Sequence, residues 1–198
     1  MRFLTQNERQ MPSLKLLPAL AVLACTSPAL AGTYQDRAAG AYLDAGGTPF
    51  HKGDSVSYSA GAGVLLPWSP TPRFSQGAQS LYWDLFASNW SARAATGGRT
   101  NFAQVGGILN WRYRFSEGQS PWFGELGIGA SLMDRVYHTP ERQFSTTFQF
   151  TEVIGAGLSL GDHGQHEVAL RLQHFSNAGI KEPNPGETFV RARYTYRF

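Results

Sequence analysis

A histidine and a serine separated by one residue, His174-Phe175-Ser176, open a stretch that also holds Asn177, Glu182 and Glu187. Serine is a poor nucleophile until a neighbouring base takes its proton, and imidazole titrates in the range that lets it accept that proton and later return it. An acid that holds the imidazole in one orientation completes such a site, and an amide or backbone N–H can stabilise the oxyanion of a tetrahedral intermediate. These residue types point to acyl transfer. His174 is the candidate base, Ser176 the nucleophile, Glu187 the acid with Glu182 as its rival, and Asn177 the oxyanion donor. Spacing alone does not decide for chemistry: His-x-Ser also occurs as a structural pair, and Ser-Asn-Ala-Gly followed by Asn-Pro-Gly is ordinary turn sequence.

The pair acts together only if its segment is a strand. On a strand, residues two apart share a face and lie roughly 6–7 Å apart. Val168, Leu170, Leu172, His174 and Ser176 then form one face, opposite Ala169, Arg171, Gln173 and Phe175. The final segment alternates in the same way, with Val190, Ala192, Tyr194, Tyr196 and Phe198 against Phe189, Arg191, Arg193, Thr195 and Arg197. A soluble core would not face three arginines. A membrane barrel would, because its outer face meets hydrocarbon and its inner face a polar lumen. The terminal aromatic with Tyr194 and Tyr196 at period two also resembles the carboxy-terminal assembly signal of outer-membrane proteins and supplies an interfacial aromatic belt.

Alternation recurs at 56–66, where Tyr58, Ala60, Ala62 and Val64 are interleaved with small or polar Ser57, Ser59, Gly61 and Gly63. Segments 103–115 and 122–132 repeat it, with Gln104, Asn110, Arg112, Arg114, Glu125 and Ser131 on the polar face. Weaker segments near 37–46, 81–91, 148–160 and 167–177, with the last at 188–198, bring the total to eight, the smallest even count for such barrels. The expected class is therefore all-β, an eight-stranded antiparallel transmembrane β-barrel of the outer membrane. Links are expected to be short at 116–121 and 161–166 and long at 92–101, 134–147 and 178–187, while the proline-rich link 67–80 breaks the alternation. An eight-stranded lumen is filled by side chains, so Asp84, Glu125 and the inward arginines are expected to pair across it rather than line a transport path.

Lys15 ahead of the apolar run 16–24, followed by Ala29-Leu30-Ala31, reads as an export signal over residues 1–31, which leaves a barrel enzyme domain at 32–198. Met11 is a candidate start, and Val22-Leu23-Ala24-Cys25 loosely resembles a lipobox, the competing reading. Cleavage after Ala31 removes Cys25, the only cysteine, and takes the balance from 17 basic against 14 acidic residues to 14 against 13. The basic character thus belongs largely to the leader, and a nucleic-acid partner is disfavoured. No later apolar stretch approaches the ~20 residues of a spanning helix. His51, His138, His163 and His166 fall in expected connections. His163 and His166 could share a metal but read as solvated turn residues, so neither metal nor cofactor is expected. A homo-oligomer is compatible with all of this.

Polar His174 and Ser176 among lipid-facing residues are unfavourable as decoration, yet they suit a substrate that is itself a membrane lipid. With both termini in the periplasm, the seventh strand runs outward and places the pair at the depth of outer-leaflet headgroups, where lipopolysaccharide is the main lipid. His174-x-Ser176-Asn177-Ala178-Gly179, with Pro183-Asn184-Pro185-Gly186-Glu187 and a Tyr-x-Phe terminus, resembles the PagL lipid A 3-O-deacylase family. The likeness is closest over 168–198 and upstream lies in length and strand pattern. It implies an eight-stranded barrel, a triad of His174, Ser176 and Glu187, an oxyanion role for Asn177, no metal, and hydrolysis of the 3-O-linked 3-hydroxyacyl chain of lipid A. Variation in the serine-to-acid spacing leaves Glu182 open as the acid. Two other readings stand beside it. One is an outer-membrane phospholipase, from a larger, calcium-dependent barrel family that also carries a His-x-Ser-Asn-Gly element. The other is a non-enzymatic structural or adhesive barrel.

Overall fold

The alternation of apolar and polar residues becomes a wall with two chemically distinct faces. The computed structural model describes residues 34–49 and 56–198; the expected export segment 1–31, with Cys25, and His51 lie outside the described residues. Eight strands follow in order: β1 Gly40–Gly47, β2 Tyr58–Trp68, β3 Gln79–Arg93, β4 Arg99–Arg114, β5 Trp122–Met133, β6 Phe148–Leu160, β7 His166–Ser176 and β8 Glu187–Arg197. Each pairs antiparallel with its neighbour, and β8 pairs with β1, so the sheet closes and no edge is left open. The expected eight-stranded barrel is what the chain forms.

The outer face is apolar: Leu43, Ile128 and Leu170 are 66%, 64% and 61% exposed, a poor arrangement in water and a favourable one in hydrocarbon. The inner face divides into two layers. Around mid-barrel, Asp84 lies between Arg171 at 2.9 Å and Arg193 at 2.7 Å, and Asp44 between Arg191 at 2.6 Å and Arg193 at 3.0 Å. Arg112 joins Glu125, Glu167 and Asp36 at 3.2, 2.6 and 3.0 Å. A lone buried charge would cost several kcal/mol, and these alternating signs with multiple hydrogen bonds offset that. The expected cross-lumen pairing is therefore present, and the interior is a packed core.

Toward the end that carries residues 177–186, the filling becomes aromatic. Trp90 packs against Phe189, Phe175 and Tyr137 with ring centroids 4.5, 4.8 and 5.4 Å apart. Tyr137 and Phe144 come from the link 134–147, which folds over the barrel mouth and buries these two side chains there. As the longest link, it marks this end as the external one.

Three connections differ from expectation. The link expected at 92–101 shrinks to 94–98, because β3 and β4 each run further; Gly97 and Gly98, with φ of +91° and +73°, make the tight turn. The puzzling 67–80 link holds a short helix, α1 (Pro72–Ser75), and is tied down by Arg37, which donates to the carbonyls of Phe74, Gly77 and Gln79 at 3.0, 2.9 and 2.9 Å. His166 is not in a connection. It opens β7, where its Nδ1 lies 2.8 Å from Tyr194 Oη and its ring faces Tyr194 and Tyr196.

Candidate active site

Strand β7 ends at Ser176, and its burial alternates as the residue types require: Glu167, Arg171, Gln173 and Phe175 are buried inward while Val168, Leu170 and Leu172 face out. His174 and Ser176 share that outward parity and are half-buried at the external end. Their strand neighbours complete the surroundings. On the β6 side, Glu152 stands opposite His174 and Phe150 opposite Ser176; on the β8 side, Thr188 stands opposite His174.

The imidazole is held by a hydroxyl. His174 Nδ1 lies 2.8 Å from Thr188 Oγ1. Glu187, one residue earlier in β8, has the opposite parity: it pairs with inward Phe175 and is buried on the lumen side. Its Oε1 accepts the Thr188 N–H at 3.1 Å and its Oε2 the Tyr137 hydroxyl at 3.0 Å. Burial first, and then the Glu187 charge, push the Tyr137 hydroxyl well above the ordinary tyrosine range, so it remains a donor. Glu187 thus contacts the backbone N–H of Thr188, whereas the bond to His174 is made by the Thr188 hydroxyl. The rival Glu182 is exposed, and its Oε2 accepts the Asn184 N–H at 2.8 Å within its own turn.

Asn177 is fully buried under the turn that follows Ser176. Its Oδ1 accepts the Gly179 N–H at 3.0 Å, and its amide donates toward Lys181 O at 2.8 Å and the Ser145 and Thr146 hydroxyls at 3.2 Å each. The side chain therefore staples the 177–181 turn to the 134–147 link. Arg142 of that link donates to the carbonyls of Gly186 at 2.7 Å and Pro185 at 3.3 Å. Gly186 has φ +66°, and a Cβ there would lie 2.6 Å from His174 Cε1 and 2.9 Å from Nε2, so only glycine lets the backbone pass the ring.

Two strands along the wall from the pair, the outer face is dented. Following the ladder from Ser176 through successive strands gives Phe150, Ala130, Gly107, Leu85 and Val64. Small residues between larger ones leave an apolar depression of about 800 Å³, lined in part by Val64, Leu85, Val105, Leu132 and Phe148. It lies on the membrane-facing wall of β2–β5 and is bounded at β6 by Phe148, with Phe150 between Ser176 and the lining residue Ala130 in the ladder.

A family model described as Lipid A 3-O-deacylase (PagL) matches residues 34–197. The chain belongs to the PagL lipid A 3-O-deacylase family. Lipid A deacylase PagL of Pseudomonas aeruginosa is 30% identical over 177 residues, covering 87% of this chain and 92% of that protein. Lipid A deacylase PagL of Bordetella bronchiseptica is 45% identical over 74 residues, which is 37% of this chain and 40% of the relative's length. The crystal structure of the outer membrane enzyme PagL shares the barrel fold, with a TM-score of 0.57 at 22% identity over 80% of this chain and 99% of that one.

As a PagL-family member, the chain is an ester hydrolase of the outer membrane. Within this PagL-type barrel, the sequence singles out His174, Ser176, Asn177 and Glu187, and Gly186 only as part of a motif, but not Thr188, Glu152, Tyr137 or Arg142. For two of these a signal was present. Period-two parity puts Thr188 on the face of Val190 and Ala192, and Glu152 on the face of Ile154, so each is a polar residue in an outward row. Tyr137 and Arg142 gave none, since they act from a long link whose path no periodicity reports.

Proposed function

We propose that this chain removes the 3-O-linked 3-hydroxyacyl chain of lipid A by a Ser-His-Glu mechanism. Ser176 Oγ attacks the ester carbonyl as His174 takes its proton. The tetrahedral intermediate then expels the sugar 3-hydroxyl, which receives that proton from His174. Water, deprotonated in turn by His174, attacks the acyl-enzyme, releases a 3-hydroxy fatty acid and restores Ser176. Glu187 is the acid that stands behind His174. Asn177 is the oxyanion donor; its amide serves that role once the 177–181 turn releases one of its present acceptors, and until then it positions the turn.

The observation that carries this reading is the outward orientation of His174 and Ser176 at the external end of a lipid-facing wall, on the same face as an apolar depression two strands away. A water-soluble substrate would have no reason to meet them there. Glu152, exposed opposite His174, offers an acceptor for a hydroxyl on the acyl chain.

A serine-directed fluorophosphonate tests the nucleophile. The folded barrel in detergent is expected to take up one phosphonyl group, mapped by peptide mass spectrometry to Ser176, and His174→Ala is expected to abolish the labelling. Labelling at a different serine, or labelling that survives His174→Ala, contradicts the assignment.

A further inference from the structure

A hydroxyl, rather than a carboxylate, meets the imidazole on the membrane face of this site. We propose that Thr188 is the residue that directly positions His174, accepting the Nδ1–H so that Nε2 is left free to take the Ser176 proton. This rests on the assignment of His174 and Ser176 given above.

Four observations support it. The 2.8 Å contact to Nδ1 joins residues directly opposite each other in the β7–β8 ladder, so the register itself holds donor and acceptor together. Thr188 is β-branched, which limits its side chain to few rotamers on a strand. Its own backbone is fixed from the lumen side, where Glu187 Oε1 accepts its N–H at 3.1 Å. The Cε1–Nε2 edge of the ring is bounded by the Gly186 backbone, so the ring has little freedom to leave its partner. The arrangement also has an electrostatic logic. The neutral hydroxyl adds no second charge to the outward face that already carries Glu152 opposite His174, and the Glu187 charge remains one residue inward. Around the ring stand Glu152 opposite it on β6, Glu187 one residue inward of Thr188 on β8, and Arg142, which donates to the Gly186 carbonyl beside the ring.

Thr188→Val keeps the branched shape and removes the hydroxyl; Thr188→Ser keeps the hydroxyl and removes the branch. With lipid A in detergent micelles, Thr188→Val is expected to lower kcat about tenfold or more with KM unchanged. Thr188→Ser is expected to stay within about threefold of wild type. A filler role in β8 predicts the reverse, since valine fills the site and serine does not. Thr188→Val at wild-type kcat, or Thr188→Ser falling as far as Thr188→Val, overturns the proposal. Ser176→Ala run in parallel separates the two layers: if it retains full activity the nucleophile assignment fails, whereas an inactive Ser176→Ala beside a fully active Thr188→Val refutes the role of Thr188 alone.

Discussion

Ser176→Ala is expected to leave a folded barrel that releases 3-hydroxy fatty acid from lipid A at least about a thousandfold more slowly. The fold should not notice the change. Ser176 is the last residue of β7, half-buried on the outer wall, while the cohesion of the molecule lies in the arginine–carboxylate layer and the Trp90 aromatic layer within. Removing one hydroxyl from the wall leaves both layers intact, so heat-modifiable migration on gels should match wild type. The reaction, by contrast, loses the atom that bonds to the substrate, and only the rate provided by binding and oxyanion stabilisation persists. Fatty-acid release in detergent micelles measures it; a rate within about tenfold of wild type would place the nucleophile elsewhere.

Gly186→Ala is expected to lower kcat by about a hundredfold, an effect out of proportion to one methyl group. The methyl would lie 2.6 Å from His174 Cε1 and 2.9 Å from Nε2, well inside contact distance. Gly186 cannot retreat easily, because Arg142 holds its carbonyl and its φ of +66° already disfavours any side chain. The ring must therefore move, and a displacement of about 1 Å at a reacting group is enough for a loss of this size. Gly179→Ala is the control. Its φ of +75° brings similar backbone strain, yet a Cβ there meets nothing within 4 Å, so its activity should remain near wild type. Equal losses in the two variants would assign the effect to strain in the loop rather than to the position of His174.

Much of this molecule could be read from period two. Arg191, Arg193 and Arg197 opposite Val190, Ala192 and Tyr194 require a wall between lipid and a polar interior, and the structure pairs those arginines with Asp44, Asp84 and Glu167. The same parity carried His174 and Ser176 to the outer face. The local partner of the imidazole was harder to see, because attention to carboxylates favoured Glu187 while the alternation placed Thr188 outward. Which residue faces His174 is set by the register of β7 against β8, and that depends on how the 177–186 turn folds. The contributions of Tyr137 and Arg142 lay beyond sequence reasoning for a related reason: the 134–147 link folds over the barrel mouth under tertiary packing with Trp90 and Phe102, contacts between residues far apart in the chain. Likewise, β3 and β4 run past their expected ends because a glycine pair makes a tight turn where a long loop was anticipated.

The most direct measurement is mass spectrometry of lipid A extracted from a host that retains its 3-O-acyl chain, comparing expression of the wild-type barrel with Ser176→Ala. The wild type should yield lipid A lighter by one 3-hydroxyacyl group lost from the 3-position, and Ser176→Ala should leave the lipid unchanged. An unaltered acyl count with a well-folded wild-type barrel in the outer membrane, or the same loss with both proteins, would contradict the assignment of Ser176 as a lipid A esterase nucleophile.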